Sequence, residues 1–391
     1  MLDTVYLDHA ATTPMVPAAI EAMTQQLLQV GNPNSLHASG RRARRVVEES
    51  RERIAHALGC RPGEVVFTSG GTEADNLALK GIAWARRAED PVRDLVLASA
   101  VEHHAVLDPL DWLDQAGQAR TRLLEVDADG RLDLASYERL LAEEGPRIAV
   151  VSAMWANNEV GTLQPIEGIV ALAHEHGIPV HADAVQAVGA VPVDFAASGL
   201  DALSLSGHKV GGPVGVGALV VRRELRVTPL VHGGGQERDI RSGTVDAPAI
   251  AGFAAAVELA VAHQAEHAER MRGLRDRLIV GIRFAVPDAV LNGPADPDLR
   301  LPGLAHFSFP GCEGDSLLML LDARGIECST GSACSAGVPQ PSHVLLAMGR
   351  ADDEARSSLR FSLGHTTTEH DVDAAVAAIG PCVERARAAR A

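Results

Sequence analysis

Residues 65–87 read VVFTSGGTEADNLALKGIAWARR, and this stretch decides the fold class. Val65-Val66-Phe67-Thr68 is β-branched or aromatic throughout. A turn of small residues, Ser69-Gly70-Gly71-Thr72, follows it, and then a helical pattern from Glu73 to Arg87. A continuous run, rather than an alternating one, is the mark of a strand covered on both faces. The same unit recurs outward along the chain. Further strands are expected at Leu95 to Ala98, Ile148 to Met154, Ile178 to Ala182, Leu203 to Leu205 and Gly217 to Val221. Helical patterns at Leu107 to Ala116, Leu134 to Glu143 and Ile166 to His176 separate them. Such alternation predicts a doubly wound, mostly parallel α/β sheet. Ala247 to Phe284 then reads as one long helix. Beyond it strand-like His306 to Phe309, helical Ser316 to Ala323, strand-like Ser358 to Leu363 and a final helix from Thr368 to Arg387 predict a smaller α+β domain.

Composition bounds the function. The 391 residues leave room for two or three domains. With 46% apolar and 22% charged residues the chain is not a disordered one. Asp and Glu total 51 against 35 Lys and Arg, and a net charge of −16 repels nucleic acid and anionic lipid. The most apolar stretch, Ala249 to Ala262, is interrupted by Glu258 and is too short to span a bilayer. The first residues show no export signal, so a cytoplasmic location is expected. Five cysteines without paired C-x-x-C spacing form neither a disulfide framework nor a zinc site. Lysine occurs only at Lys80 and Lys209. A guanidinium, with a pKa above about 12, forms no Schiff base, so covalent amine chemistry has two candidate side chains.

Three strand ends carry chemistry. Ser69 to Glu73 opens a helix, where free N–H groups and the dipole favour a phosphate; alone, a capped helix start explains it better, because small-residue turns before helices are common. Ser206-Gly207-His208-Lys209 follows a strand and holds one of the two lysines, whereas Lys80 reads as a solvated helix residue. Asp183 ends the strand before Gln186, and a buried carboxylate there needs a cation to stay ionised. Pyridoxal phosphate requires a lysine for its aldehyde, an acid for its ring nitrogen and a phosphate cradle. All three lie at strand ends of one expected sheet. His174-Glu175-His176 spaces its imidazoles onto different helix faces and reads as a solvated end, not a metal site. The Arg41 to Glu52 segment reads as a salt-bridged exposed helix.

Several motifs together carry a family resemblance: Tyr6-Leu7-Asp8-His9-Ala10-Ala11-Thr12-Thr13-Pro14, Gly31-Asn32-Pro33, Thr68 to Glu73, Asn157-Asn158-Glu159, Ser206 to Lys209, Arg241-Ser242-Gly243-Thr244 and Ser329-Thr330-Gly331-Ser332-Ala333-Cys334. In this order, from Tyr6 to about Gly364, the chain resembles cysteine desulfurases of the iron–sulfur and nitrogen-fixation type. These are class-V aminotransferase-like members of the fold-type I pyridoxal-phosphate transferases. Thr330 stands where that group has Ser.

The resemblance implies a large cofactor domain, 14–260, and a small domain made of 1–13 and 261–391. It implies Lys209 as the Schiff-base lysine, His103 stacked on the ring, Asp183 at its nitrogen, and Gln186 and Asn158 at its phenolic edge. Gly71, Thr72, Ser206, Gly207 and His208 would hold the phosphate, with Thr244 reaching it from the partner of a homodimer. Arg360 and Asn32 would bind the carboxylate of L-cysteine. Cys334 would carry the persulfide to an acceptor, an iron–sulfur scaffold or a thiolation carrier. No metal of its own is implied, although Cys334 would be the residue shared with a cluster on a scaffold. Selenocysteine lysis, transamination and a non-catalytic relay subunit are the rival readings; intact Lys209, Asp183 and Cys334 argue against the last.

Overall fold

The computed structural model describes residues 4–331 and 340–390. A short N-terminal strand, β1 (Val5–Tyr6), precedes seven strands that make the main sheet. These are β2 (Val65–Thr68), β3 (Leu95–Ser99), β4 (Arg120–Leu124), β5 (Ile148–Ser152), β6 (Val180–Asp183), β7 (Ala202–Ser206) and β8 (Gly217–Val221). Their order is β2-β8-β7-β6-β5-β3-β4, parallel throughout except that β8 runs against both neighbours. The carboxyl ends of the parallel strands and the amino end of β8 therefore share one edge. Thr68 and Ser206 both pair with Gly217 there. That edge is packed so closely that a Cβ on Gly217 would lie 2.6 Å from the Leu205 carbonyl oxygen.

Alternate residues of each strand feed two apolar layers. Phe67, Leu97, Val151 and Leu203 pack on one face with Phe253. Val66, Val96, Val150 and Leu219 pack on the other with Leu77, Ile82 and Leu110. This is the physical basis of the continuous apolar runs: both faces are covered, so neither side of the strand needs polar residues. A separate core gathers Val5 and Leu7 with Met271, Leu274, Phe307, Leu317, Phe361 and Ile379. It surrounds β9 (Val290–Leu291), β10 (Leu304–Ser308) and β12 (Ser358–Ser362), an antiparallel sheet ordered β12-β10-β9, while β11 (Ile326–Glu327) pairs with β1.

Two expectations need correcting. The segment Ala247 to Phe284 is not one helix but two, Ala247–Ala262 and Gln264–Ala285, bent by 72° at His263. The first helix buries Ile250, Phe253 and Val257 against the main sheet; the second turns Met271, Leu274, Leu278 and Ile282 into the separate core. A change of packing partner forces the change of direction, and helical periodicity does not register it. Lys80 is also no plain solvated side chain, because its ammonium lies over the Trp112 ring, 4.4 Å from the centroid. Among the described residues no single helix is long and apolar enough to cross a membrane. The arginine-rich segment is helical over Ala38–Ala57, with Arg45 and Glu49 paired at 3.7 Å.

Candidate active site

A cavity of about 320 Å³ opens at the carboxyl edge of the main sheet. Each wall comes from a strand end or the loop behind it. The turn after β2 contributes Gly71 and Thr72 at the start of the helix Gly71–Glu89. Gly70, at φ +155°, has the positive φ that favours glycine and leaves open space where a Cβ would be. β6 ends in Asp183, and Gln186 follows on the next turn; β7 ends in Ser206 and leads through His208 to Lys209. His103 caps the helix His104–Gln115 behind β3, Asn158 lies beyond β5, and Arg360 reaches in from β12. Ten of the residues implied by the resemblance thus meet around one space, namely Gly71, Thr72, His103, Asn158, Asp183, Gln186, Ser206, His208, Lys209 and Arg360.

The electrostatics separate their roles. Asp183 is buried, accepts the Val185 N–H at 2.8 Å, and is pushed up to about 6 by burial against the pull of that bond and of Lys209. Two further carboxyls stand behind it. Asp75 and Glu102 are both raised well above the usual range, first by burial and then by the Asp183 charge. Asp75 lines the cavity with Oδ1 unpartnered. The ring of His103 is held at about 4, first by burial and then by Lys209. Ala105 N–H donates to His103 Nδ1 at 3.0 Å, so the neutral ring carries its proton on Nε2. His208 is likewise lowered to about 4 by burial and by Lys209. Lys209 Nζ donates to the carbonyl oxygens of Ala10 and Ala11 at 2.6 and 2.8 Å, which brings the N-terminal motif against the reactive amine.

Three of the implied residues that the structure describes do not line this cavity. Gly207 is buried beneath it, where its N–H donates to the Val216 carbonyl at 2.9 Å and a Cβ would meet the Pro213 carbonyl oxygen at 2.7 Å. It shapes the turn rather than facing the space. Asn32 is exposed, with Oδ1 accepting Asn34 N–H, and Thr244 is exposed too. Cys334 lies outside the described residues. Sequence reasoning missed Asp75, although it falls one helical turn after Thr72 and so on the same face. It also assigned no role to Asp8, whose carboxylate is 2.7 Å from Arg360 Nη2. Cys328 is buried and pushed up to about 12 by burial, which keeps it a thiol.

A second cavity of about 430 Å³ shares Ala10, Gln186 and Lys209 with the first but is otherwise mostly apolar, with His9, His267 and His365 on its wall. It has no carboxylate to face a ring nitrogen. Among the described residues no group of three or more His, Cys, Asp or Glu is arranged to hold a metal ion.

Comparison with known proteins agrees with this geometry. Residues 5–375 match the class-V aminotransferase family. The chain is 57% identical over 384 residues to the IscS-like cysteine desulfurase of Mycobacterium tuberculosis, covering 98% of this chain and 97% of that one. A solved NifS-like protein superposes with a TM-score of 0.89 at 36% identity, over 98% of this chain and 100% of the other. SspA, solved in complex with cysteine, superposes with a TM-score of 0.79 at 34% identity, over 93% and 100%. A family match that spans both apolar cores, together with a desulfurase aligned almost end to end, places the chain: it belongs to the class-V aminotransferase family, in the branch of the cysteine desulfurases.

Proposed function

We propose that this chain is a pyridoxal-phosphate-dependent cysteine desulfurase that converts L-cysteine and its own Cys334 thiol into L-alanine and a Cys334 persulfide. The observation that carries the reading is the meeting of Lys209, Asp183 and Arg360 on the walls of one cavity. The names of the similar proteins, and the cysteine bound to SspA, support the substrate.

The residues fit the cofactor. A buried carboxylate at the end of β6 suits a ring nitrogen, Gln186 and Asn158 are at hand for the phenolic oxygen, and Lys209 is at hand for the aldehyde. Gly71, Thr72, Ser206 and His208 form a polar cradle at a helix N-terminus, which suits the phosphate. When bound, the group supplies an electron sink for the substrate Cα.

The chain's own residues do the rest. Arg360 would hold the substrate carboxylate, and the Lys209 amine would take the proton from Cα and return it to carbon. His103, neutral and with Nε2–H as a hydrogen-bond donor, would hold the face of the cofactor ring. The Cys334 thiolate attacks the substrate sulfur: a sulfur–sulfur bond forms, the Cβ–S bond breaks, and its electron pair stays on carbon to be protonated. The persulfide sulfur then passes to an acceptor protein, an iron–sulfur scaffold or a thiolation carrier. The reading takes residues 14–260 as the cofactor domain and 1–13 with 261–391 as the smaller one, supported by the separate apolar cores. It further takes the enzyme as a cytoplasmic homodimer in which Thr244 reaches the partner's phosphate, with Asn32 beside the substrate carboxylate. The net charge of −16 favours protein and small-molecule partners over nucleic acid.

A cysteine pulse followed by peptide mass spectrometry tests this. The extra sulfur is expected on the peptide containing Cys334. Cys334→Ser should keep the cofactor's visible band and release no sulfide, with Cys328→Ser still active. Persulfide on Cys328 with full turnover in Cys334→Ser would overturn the assignment.

A further inference from the structure

The N-terminal motif Tyr6 to Pro14 is only partly absorbed by the reading above, and Asp8 is its unexplained member. Leu7 to Ala10 runs beside the end of β12: the Ser362 N–H donates to the Leu7 carbonyl at 2.8 Å, His9 N–H donates back to the Ser362 carbonyl at 3.1 Å, and Ala10 N–H donates to Ser362 Oγ at 2.9 Å. These bonds fix Asp8 two residues along from Arg360. The Arg360 guanidinium, 4% exposed, has three edges, and the structure accounts for two. Its Nη1 donates to the Asn158 carbonyl oxygen at 2.9 Å and its Nη2 to Asp8 Oδ1 at 2.7 Å. Its Nε is buried without a hydrogen-bond partner among the described residues, in a side chain that forms part of the cavity wall.

We propose that Asp8 is a positioning residue for the substrate-carboxylate clamp: together with the Asn158 carbonyl it locks the Arg360 guanidinium so that the edge bearing Nε is the one left for the substrate. A planar carboxylate approaching that edge takes Nε–H and the second Nη2–H as a two-point fork, while Asp8 keeps the first Nη2–H. Asp8 also balances the charge of a buried arginine before substrate arrives, so the guanidinium need not swing toward solvent. Tyr6 holds the motif in turn, its hydroxyl donating to the Asp8 and Thr12 carbonyl oxygens at 3.1 and 2.9 Å. The specificity that follows is for amines bearing one adjacent carboxylate, because the other two edges are already committed. This inference rests on Arg360 being the carboxylate clamp.

The test uses the cofactor-loaded enzyme with L-cysteine and with cysteamine, which is cysteine without its carboxylate. Asp8→Ala is expected to raise KM for L-cysteine by about tenfold, the size of one charge-assisted hydrogen bond, with kcat changed much less. Asp8→Asn, which can still accept a bond, should fall between parent and Asp8→Ala; it also serves if the alanine variant folds poorly. Cysteamine binding, read from the cofactor's absorbance, should be the same in all three. Asp8→Ala/Arg360→Ala should be no worse than Arg360→Ala, because a residue that acts through Arg360 has no effect once Arg360 is gone. Equal losses with cysteine and cysteamine would mark Asp8 as merely structural and overturn the inference, as would additive losses in the double variant. If Arg360→Ala impairs cysteine and Asp8→Ala does not, the inference about Asp8 fails alone. If Arg360→Ala leaves KM unchanged, the clamp itself is misassigned and both fall.

Discussion

Lys209 and Lys80 show how one residue type takes two unrelated jobs. Lys209 lies past the end of β7 with its amine against two carbonyl oxygens at the cavity wall. Lys80 lies on a helix with its ammonium over Trp112, a contact worth about 0.5–1 kcal/mol where it is partly exposed. Lys209→Ala should therefore lose the visible cofactor band and all turnover. Lys80→Arg should change neither, since a guanidinium stacks on an indole equally well. Absorbance and alanine production measure both, and loss of the band in Lys80→Arg alone would reverse the assignment. Lys209 was legible in the sequence because lysine is so scarce there. Asp8 and Asp75 were not, because a lone aspartate carries no pattern and acquires a role only from the groups that fold against it.

At the scale of elements, the central strands are tied by side chains as well as by their backbones. His181 of β6 is fully buried, with Nδ1 2.9 Å from Ser152 Oγ on β5 and Nε2 2.9 Å from Ser204 Oγ on β7. Burial lowers it to about 3, so it is neutral in the fold and takes a proton only in strong acid. The unfolded chain, with an ordinary histidine near 6.5, binds that proton first, so the stabilisation is complete at pH 7 and is lost as pH falls from 6.5 toward 3. Urea unfolding of the parent and of His181→Gln should show the parent's advantage at pH 7 shrinking by about 2 kcal/mol at pH 5. An advantage independent of pH would mean that the ring takes up its proton over the same pH range in the fold as in the unfolded chain. The strands themselves were legible, because both faces are covered and the runs are continuous. β4 was not: it is an edge strand of arginines and leucines, Arg120 to Leu124, with most side chains exposed. Nothing in its local pattern distinguishes it from a loop, and its pairing with β3 is what makes it a strand.

At the scale of the whole molecule, Thr244 is exposed, on a loop whose path is set by its own chain. The loop leading to Thr244 passes through Glu237, Arg238 and Asp239, three consecutive non-glycine residues with positive φ. It is held there by Arg51, whose guanidinium meets Glu237 at 2.7 Å, and by the Phe67 N–H, which donates to the same carboxylate at 2.8 Å. Arg241 meets Glu73 at 2.8 Å on the helix that opens the phosphate cradle. The loop is thus anchored to its own chain while Thr244 itself faces outward. If it serves the partner's phosphate, a mixed dimer of Lys209→Ala and Thr244→Val chains should contain one intact site and retain half the parent's turnover. If it serves its own chain, the same dimer should be no better than Thr244→Val alone, with a cofactor affinity about tenfold weaker from one lost hydrogen bond. Turnover and cofactor titration of the purified heterodimer distinguish the two.

The sequence by itself determined the α/β class and the strands covered on both faces, and it singled out Lys209 as the candidate amine. Each is written in local pattern: continuous apolar runs, small-residue turns at strand ends, and a lysine that has only one rival in the chain. The tertiary structure decided the rest. It bent the long helix at His263 because its two halves pack on different cores, and it raised the Asp75 and Glu102 carboxyls well above their usual range by burying them beside Asp183. It also set Asp8 against Arg360 across 352 residues of chain. Those outcomes depend on burial and on distance between remote segments, and neither is a property that a residue has before the chain has folded.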